Sequence, residues 1–143
     1  MKKIILCLTI CLSCCLMFMR STSAEEYYCD ETIEIISMEP ATRATKTITG
    51  KKTASIKNSS GKVLWSVTVT GSFTYTGSKA TCTNSSVSAQ SNDNRWKISS
   101  KSHSKSGNTA TATASAKYYL DGSLIATQNK TVKLTCSASG KLS

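Results

Sequence analysis

The stretch TATATASA, residues 109–116, alternates threonine or serine with alanine. Alanine is the strongest helix former, yet its period here is two, and every second side chain of a β-strand points to the same face. The stretch therefore predicts a strand with one face of alanine and one wet face of hydroxyl side chains. An alanine face lets two sheets approach closely, or leaves room for large residues such as Trp65 and Trp96 on the opposite sheet.

Neighbouring stretches carry the same period. In VLWSVTVTGSFTY, residues 63–75, most apolar side chains share one parity, which is typical of a half-buried strand. Gly71 keeps that parity without a side chain, so we expect a bend or bulge there. The Asp-Gly pair in YYLDGSLIATQ, residues 118–128, lies between apolar runs and predicts a tight hairpin.

Strand and turn signals recur along residues 44–143 and add up to roughly seven to eight strands in about 100 residues. This pattern predicts an all-β fold, an antiparallel β-sandwich over residues 44–143. We expect it to be immunoglobulin-like in architecture only, because the chain order is Trp65, Cys82, Cys136 rather than a tryptophan between two cysteines.

The N-terminal residues 1–24 carry an export signal. MKK and the apolar run 4–19 precede RSTSA, which supplies small residues before a cleavage point after Ala24. The alternative is an uncleaved membrane anchor, but a run of about 16 residues is short for a span of roughly 20. We therefore predict a signal peptide and a secreted protein, extracellular or associated with the cell wall, with no membrane span after cleavage.

Removal of this segment would leave Cys29, Cys82 and Cys136 of the seven cysteines. Cys82 and Cys136 lie in matching strand contexts, KATCTN and KLTCSA, and an oxidising compartment favours disulfides. We predict a Cys82–Cys136 disulfide, which closes a loop of about 55 residues and contributes about 4 kcal/mol by restricting the unfolded chain. No CxxC pair or Cys/His cluster follows the signal segment, so we expect neither metal nor cofactor.

Charge divides the exported chain in two. Residues 25–40 contain six acidic residues and no basic one, whereas residues 41–143 contain fifteen Lys or Arg and only Asp93 and Asp121. Residues 25–43 are therefore interpreted as an acidic leader or linker that precedes the domain. It is either a solvated linker or a pro-segment that neutralises the basic body until it is cut near Arg43.

Several turn and strand motifs of residues 41–143 resemble those of one protein group. They are GKVLW (61–65), TYTGSKATCT (74–83), KSGNTAT (105–111) and LTCSASG (134–140). Together with the signal peptide and a leader that ends near ATRA, this layout resembles short secreted proteins of Gram-positive bacteria with a Lys/Ser/Thr-rich β domain. The resemblance implies a fold and a compartment, and it carries over no site residues.

The candidate binding site is RWKISSKSHSK, residues 95–105. Its basic side chains all have odd numbers, with Ser99 as the one interruption: Arg95, Lys97, Lys101, His103 and Lys105. On one face of a strand such side chains lie about 6.6–6.8 Å apart, close to the phosphate spacing of an extended polyanion. The stripe could hold teichoic acid, an acidic glycan or nucleic acid by ion pairing, but no exposed aromatics interleave to support specific nucleic-acid recognition. A second interpretation, compatible with the first, is that the lysines protect an edge strand from pairing.

Residues 41–143 offer little for catalysis, because His103 is their single histidine, Asp93 and Asp121 are their only carboxylates, and both aspartates lie in turn sequences. We therefore expect a non-enzymatic protein that associates with an anionic envelope or host surface through the stripe. Lys51, Lys52 and Lys62 are expected to assist. The alternative function is a cationic antimicrobial or toxin-like protein that its acidic leader keeps inactive.

Overall fold

The structure, a computed structural model, describes residues 25–39 and 44–143. Within these ranges the chain forms seven antiparallel strands and no helix, which confirms the predicted all-β fold and the expected number of strands. The strands are β1 (Tyr27–Met38), β2 (Lys46–Asn58), β3 (Val63–Tyr75), β4 (Ala80–Ser91), β5 (Trp96–Ser106), β6 (Thr109–Leu120) and β7 (Ser123–Thr135). The predicted signal peptide, residues 1–24, and the predicted cut near Arg43 lie outside the described residues.

The strands form two sheets that share one hydrophobic core. One sheet has the order β1-β2-β3-β4 and the other β5-β6-β7, so the β4–β5 connection passes from the first sheet to the second. In the β6–β7 turn, Asp121 has a φ of 49° and Gly122 a φ of 80°, the left-handed pair that a two-residue hairpin requires. The hairpin predicted from the Asp-Gly pair is therefore confirmed.

We call the face of each sheet that carries its buried side chains the inner face. The inner face of β6 is the predicted row of alanines, all buried: Ala110, Ala112, Ala114 and Ala116. Strand β3 comes so close that a Cβ built on Gly71 would lie only 2.9 Å from the Ala110 Cβ and 2.7 Å from Phe73 Cζ. Small residues on both sheets, the alanine row on β6 and Gly71 on β3, thus allow the two sheets to come close together at this point.

The irregularity expected at Gly71 lies on the neighbouring strand instead. Gly71 pairs in register with Gly50 of β2 and with Ser85 of β4. The β3–β4 register shifts at the next pairs, where Thr83 is the extra residue. Gly71 is therefore required for close packing against β6, and a bulge on β4 supplies the bend.

Aromatic side chains close the end of the core where β5 begins. The Trp65 and Trp96 rings stack with centroids 6.4 Å apart, and the Tyr118 ring centroid lies 5.2 Å from that of Trp96. Trp65 Nε1 donates to Gln128 Oε1 across the two sheets at 3.2 Å. Tyr27 meets the edge of Trp96 at 5.8 Å, and burial raises the pKa of its hydroxyl to about 12. The first residue of β1 is thereby fixed to the core.

Strand β1 occupies residues that were predicted to be an acidic leader or linker. It pairs with β2 from Tyr27 opposite Asn58 to Met38 opposite Ile48, with a bulge at Ile36. Two properties of the sequence explain the strand. Ile33 and Ile35 alternate with polar residues, and the carboxylates lie opposite or close to the lysines of β2. The sheet therefore begins before residue 44, the start of the predicted domain.

We expect Ala112→Leu to lower the free energy of unfolding by about 1–3 kcal/mol, because the larger side chain overpacks the contact between the sheets. Thr111→Val, on the opposite face of the same strand, is the matched control and should change it by less than about 0.5 kcal/mol. Urea unfolding followed by tryptophan fluorescence measures both values. Equal effects of the two substitutions would contradict the assignment of the inner face.

Candidate functional site: a cationic rim between β4 and β5

The basic residues predicted to form one stripe lie on two faces of β5. Ile98 pairs with Ala116 and Ser100 with Ser115, so Ser99 is an extra residue in β5. A bulge of this kind moves every following side chain to the other face of the strand. The prediction that all five residues share a face is therefore wrong, and the interruption noted at Ser99 is the physical cause.

Three of the predicted residues stay together after the bulge. Each of them pairs with an alanine of β6, so the three side chains lie on the inner face of the β5-β6-β7 sheet, at the edge where β5 borders β4: Lys101, His103 and Lys105. His103 Nδ1 is 3.0 Å from Ser85 Oγ, and Lys105 Nζ donates to the Thr83 carbonyl. We call these five residues, which join the two sheets at one side, the β4–β5 rim.

Arg95 and Lys97 lie elsewhere. Lys97 pairs with Lys117 on the outer face of its sheet, opposite to the rim. Arg95 precedes β5, and its guanidinium binds both carboxylate oxygens of Asp93 and covers the Tyr118 ring at 5.6 Å. Neither residue adds its charge to the rim.

Asp93 organises the turn that leads into β5. Its side chain is buried and accepts hydrogen bonds from the Arg95 backbone at 3.0 Å and from Lys62 Nζ at 3.2 Å. The Arg95 side chain is the largest cause that holds the pKa of Asp93 well below its ordinary value of 3.8, and Lys62 adds to it. This network fixes where β5 starts, and so it positions the rim without belonging to it.

The lysines expected to assist the stripe are engaged in ion pairs. Lys51 Nζ lies 3.1 Å from Glu34 and Lys52 Nζ 3.2 Å from Glu31, both in β1, while Lys62 belongs to the turn network. Glu31 also binds Lys130 of β7 at 3.1 Å. Hydrogen bonds from Lys130 and then Lys52 lower the pKa of Glu31.

A shallow groove continues the rim toward the aromatic end of the core. It has a volume of about 310 Å³ and is lined by Ala89, Ile98, Ser99, Ser100 and Lys101. Two apolar walls, two serines and one lysine suit a chain with hydroxyl groups and negative charge. The bulge at Ser99, which divides the predicted stripe, also forms part of this groove.

The strands that surround the rim carry no acidic side chain. None of the strands β2–β7 contains an aspartate or glutamate, so the carboxylates of the described chain belong to β1, its flanking residues and two turns. Among the described residues, no group of three His, Cys, Asp or Glu side chains could hold a metal ion. The same part of the chain has no helix with the length and apolar character to cross a membrane.

The structure brings the two predicted disulfide partners to one turn but leaves both as free thiols. The Cys82 amide donates to the Gly107 carbonyl, and the Cys136 amide to the carbonyl of the next residue, Asn108. Each thiol contacts a backbone carbonyl of its own strand end, Cys82 that of Asn84 at 3.2 Å. The predicted disulfide is therefore absent from this structure.

The ion pairs between β1 and β2 and the turn network around Asp93 were not predicted from the sequence. Alternation in TIEIIS, residues 32–37, is the signal that could have identified β1, but the run of acidic residues dominated its interpretation. An aspartate and an arginine two residues apart in a turn, such as Asp93 and Arg95, commonly form a solvent-exposed pair, so their spacing alone does not indicate a buried network. Only the burial of Asp93 distinguishes it.

Alkylation should distinguish the three cysteines. Cys29 is exposed and should react quickly, whereas Cys82 and Cys136 are buried, and burial raises the pKa of both thiols and so lowers their thiolate fraction. Peptide mapping by mass spectrometry of native and urea-unfolded protein measures each site. We expect Cys82 and Cys136 to be labelled only after unfolding. Their resistance after unfolding would contradict the free thiols of the structure and restore the predicted disulfide.

Comparison with protein-family models, with curated proteins and with solved structures finds no match for this chain. The resemblance to short secreted proteins of Gram-positive bacteria therefore stays a prediction, and the site is assigned from geometry alone.

Proposed function

We propose that this protein is a secreted, non-enzymatic β-sandwich, immunoglobulin-like in architecture only, that associates with an anionic polymer of a cell envelope or host surface. The binding site is the β4–β5 rim, and the polymer is a polyol phosphate such as teichoic acid or an acidic glycan. The row formed by Lys101, His103 and Lys105 on strands that lack acidic residues carries this proposal.

Geometry supports a linear ligand. Alternate residues of a strand lie about 6.6–6.8 Å apart, so the three side chains present donors at a spacing that an extended phosphodiester chain can match. Lys101 and Lys105 are exposed, and neither forms an ion pair in the described chain. Their charges are therefore available to a polyanion, and Lys105 can exchange its bond to the Thr83 carbonyl for one to a phosphate.

The groove beside Lys101 favours a polymer that has hydroxyl groups and a carbon backbone in addition to its negative charges. Ser99 and Ser100 offer hydroxyl groups, and Ala89 and Ile98 offer apolar contact to a carbon backbone. A polyol or sugar unit between phosphates or carboxylates has both properties. The lysines also protect the edge of β5 from pairing with other chains, and the two roles do not compete.

The double substitution Lys101→Ser/Lys105→Ser should weaken retention on purified cell walls and on polyglycerol phosphate. Each lost phosphate contact should lower the slope of log affinity against log salt by about 0.7, so two contacts give roughly 1.4. Binding isotherms at several salt concentrations measure this slope.

The matched control is Lys133→Ser/Lys141→Ser, which removes equal charge from exposed positions outside the rim. It should reduce the slope much less. Equal loss in both double variants would mean that net charge alone attracts the polymer and would refute the rim as the site. Retention that does not depend on salt would refute the proposal altogether.

A second candidate function is favoured by the ion pairs of β1. Its acidic residues occupy four lysines of the body: Lys51, Lys52, Lys57 and Lys130. In this alternative the protein is a cationic antimicrobial or toxin-like protein, and residues 25–43 are a pro-segment that masks its charge until cleavage near Arg43.

Glu31→Gln tests this masking while it keeps the strand, because one carboxylate binds both Lys52 and Lys130. We expect this variant to inhibit bacterial growth at lower concentration than the intact chain, and a chain cut after Arg43 to inhibit more strongly. Glu26→Gln, which alters charge equally at an exposed residue, is the control. Absence of growth inhibition by the cut chain would eliminate the second candidate.

A further inference from the structure

The two sheets present four edge strands, and three of them are covered or charged in the described chain. β4 and β5 border each other through the rim, and β5 also carries lysines along its edge. Only the last residue of β7 is covered by the C-terminal residues, because Thr135 and Ser143 exchange two backbone hydrogen bonds, and the rest of this edge strand carries Lys130 and Lys133. Lysines and covering segments are the usual means by which proteins prevent strand pairing.

Strand β1 differs from these three. It pairs with β2 on one side, with a bulge at Ile36, and no described strand pairs with its other side, where residues 27–35 form an uninterrupted stretch ahead of the bulge. Its large apolar side chains are exposed: Ile33 by 42%, Ile35 by 53%, Ile36 by 52% and Met38 by 56%. A long apolar edge with unpaired backbone groups is a template for another strand.

The charges of β1 do not prevent such pairing, because its own chain neutralises them. Glu31 binds Lys52 and Lys130, while Asp30 binds Lys57 at 2.9 Å. Glu34 binds Lys51 in the same way. These pairs leave β1 close to neutral, so the remaining constraint is that carboxylates of two strands must not lie directly opposite each other.

The distribution of carboxylates selects the partner and the register. In an antiparallel pair of identical strands with a twofold axis at Ile33, Glu34 faces Thr32 of the second copy and Glu31 faces Ile35, so no two acids meet. An axis at Thr32 would place Asp30 opposite Glu34. An axis at Glu34 would place that residue opposite itself.

We propose that β1 is an interaction surface for a second copy of this chain, with which it pairs antiparallel and edge to edge about Ile33. The pairing joins the two four-stranded sheets into one continuous sheet and covers the exposed isoleucines of both copies. Backbone hydrogen bonds provide the ladder, and Ile33 meets its symmetry mate at the centre.

The first experiment measures the mass of the full chain by sedimentation over a wide range of concentration. The wild-type chain should form a dimer, and Ile33→Glu should weaken dimerisation by about tenfold or more, because two carboxylates then meet on the axis. Within its own chain the new carboxylate faces Lys52, so the monomer keeps its fold. Ile125→Glu, at a residue exposed by 57% on the other sheet, is the control and should leave the dimer unchanged.

A mixture supplies the second measurement. Ile33→Glu and Ile33→Lys chains should each be mainly monomeric, but together they should pair, because opposite charges meet on the axis. Two variants at Thr32 provide an independent test if Ile33→Glu does not fold, because they should change the dimer affinity in opposite directions. Thr32→Lys should tighten the dimer and Thr32→Glu should weaken it, because each faces Glu34 of the second copy twice by symmetry.

Three results would overturn the proposal. They are a wild-type chain that stays monomeric at every concentration, equal dimerisation of wild-type and Ile33→Glu chains, and Thr32 variants that shift the equilibrium in the same direction. None of these results depends on polymer binding at the rim, which is measured separately.

Discussion

The close approach of β3 to β6 at Gly71 and Ala110 is the contact on which the rest of the structure depends. Neither position can accept more volume, because a methyl group on Gly71 would overlap both Ala110 and Phe73. The short distance between the sheets lets Trp65 reach Gln128 and stack on Trp96. It also brings the inner sides of β4 and β5 close enough for His103 to bond to Ser85, so the rim is a consequence of the alanine row.

Period-two alternation predicted the buried face of β3 and the alanine face of β6 correctly, because hydrophobic burial acts on every second side chain of a strand. Bulges set the limit of that method. The extra residue Ser99 changes the face of everything after it, and nothing in its side chain distinguishes it from Ser100. A bulge arises from the backbone hydrogen bonds of two strands together, so the sequence of β5 alone does not specify it.

Strand β1 shows a second limit. Along the chain, its carboxylates form a run that resembles a solvated leader. Across the sheet, Glu34 lies opposite Lys51, and Asp30 and Glu31 form ion pairs with other lysines of β2. Lys130 belongs to a strand roughly 100 residues away in sequence, yet it meets Glu31 because β7 lies above β2. Local charge density therefore did not reveal that this segment pairs with β2, and the identity of its partners required the register.

The energetics of β1 connect its ion pairs to its two proposed roles. Exposed ion pairs contribute little to stability, so those of Asp30 and Glu34 do not anchor the strand. Anchoring rests instead on the ladder to β2 and on Tyr27 against Trp96. A strand held on one side, with its isoleucines exposed, gains buried area from pairing with a second copy.

These two outcomes exclude each other for any one molecule, since a chain cut after Arg43 and freed of β1 no longer has the edge that would pair. In a dimer the exposed isoleucines of β1 would be buried. Their burial would stabilise the intact strand in its sheet when the concentration of the chain is high. Pairing would then hinder cleavage near Arg43, because it stabilises β1 in the sheet. Dilution would dissociate the dimer and make cleavage easier. Under the two proposals together, the concentration of the chain is the variable that decides how long β1 stays in the sheet.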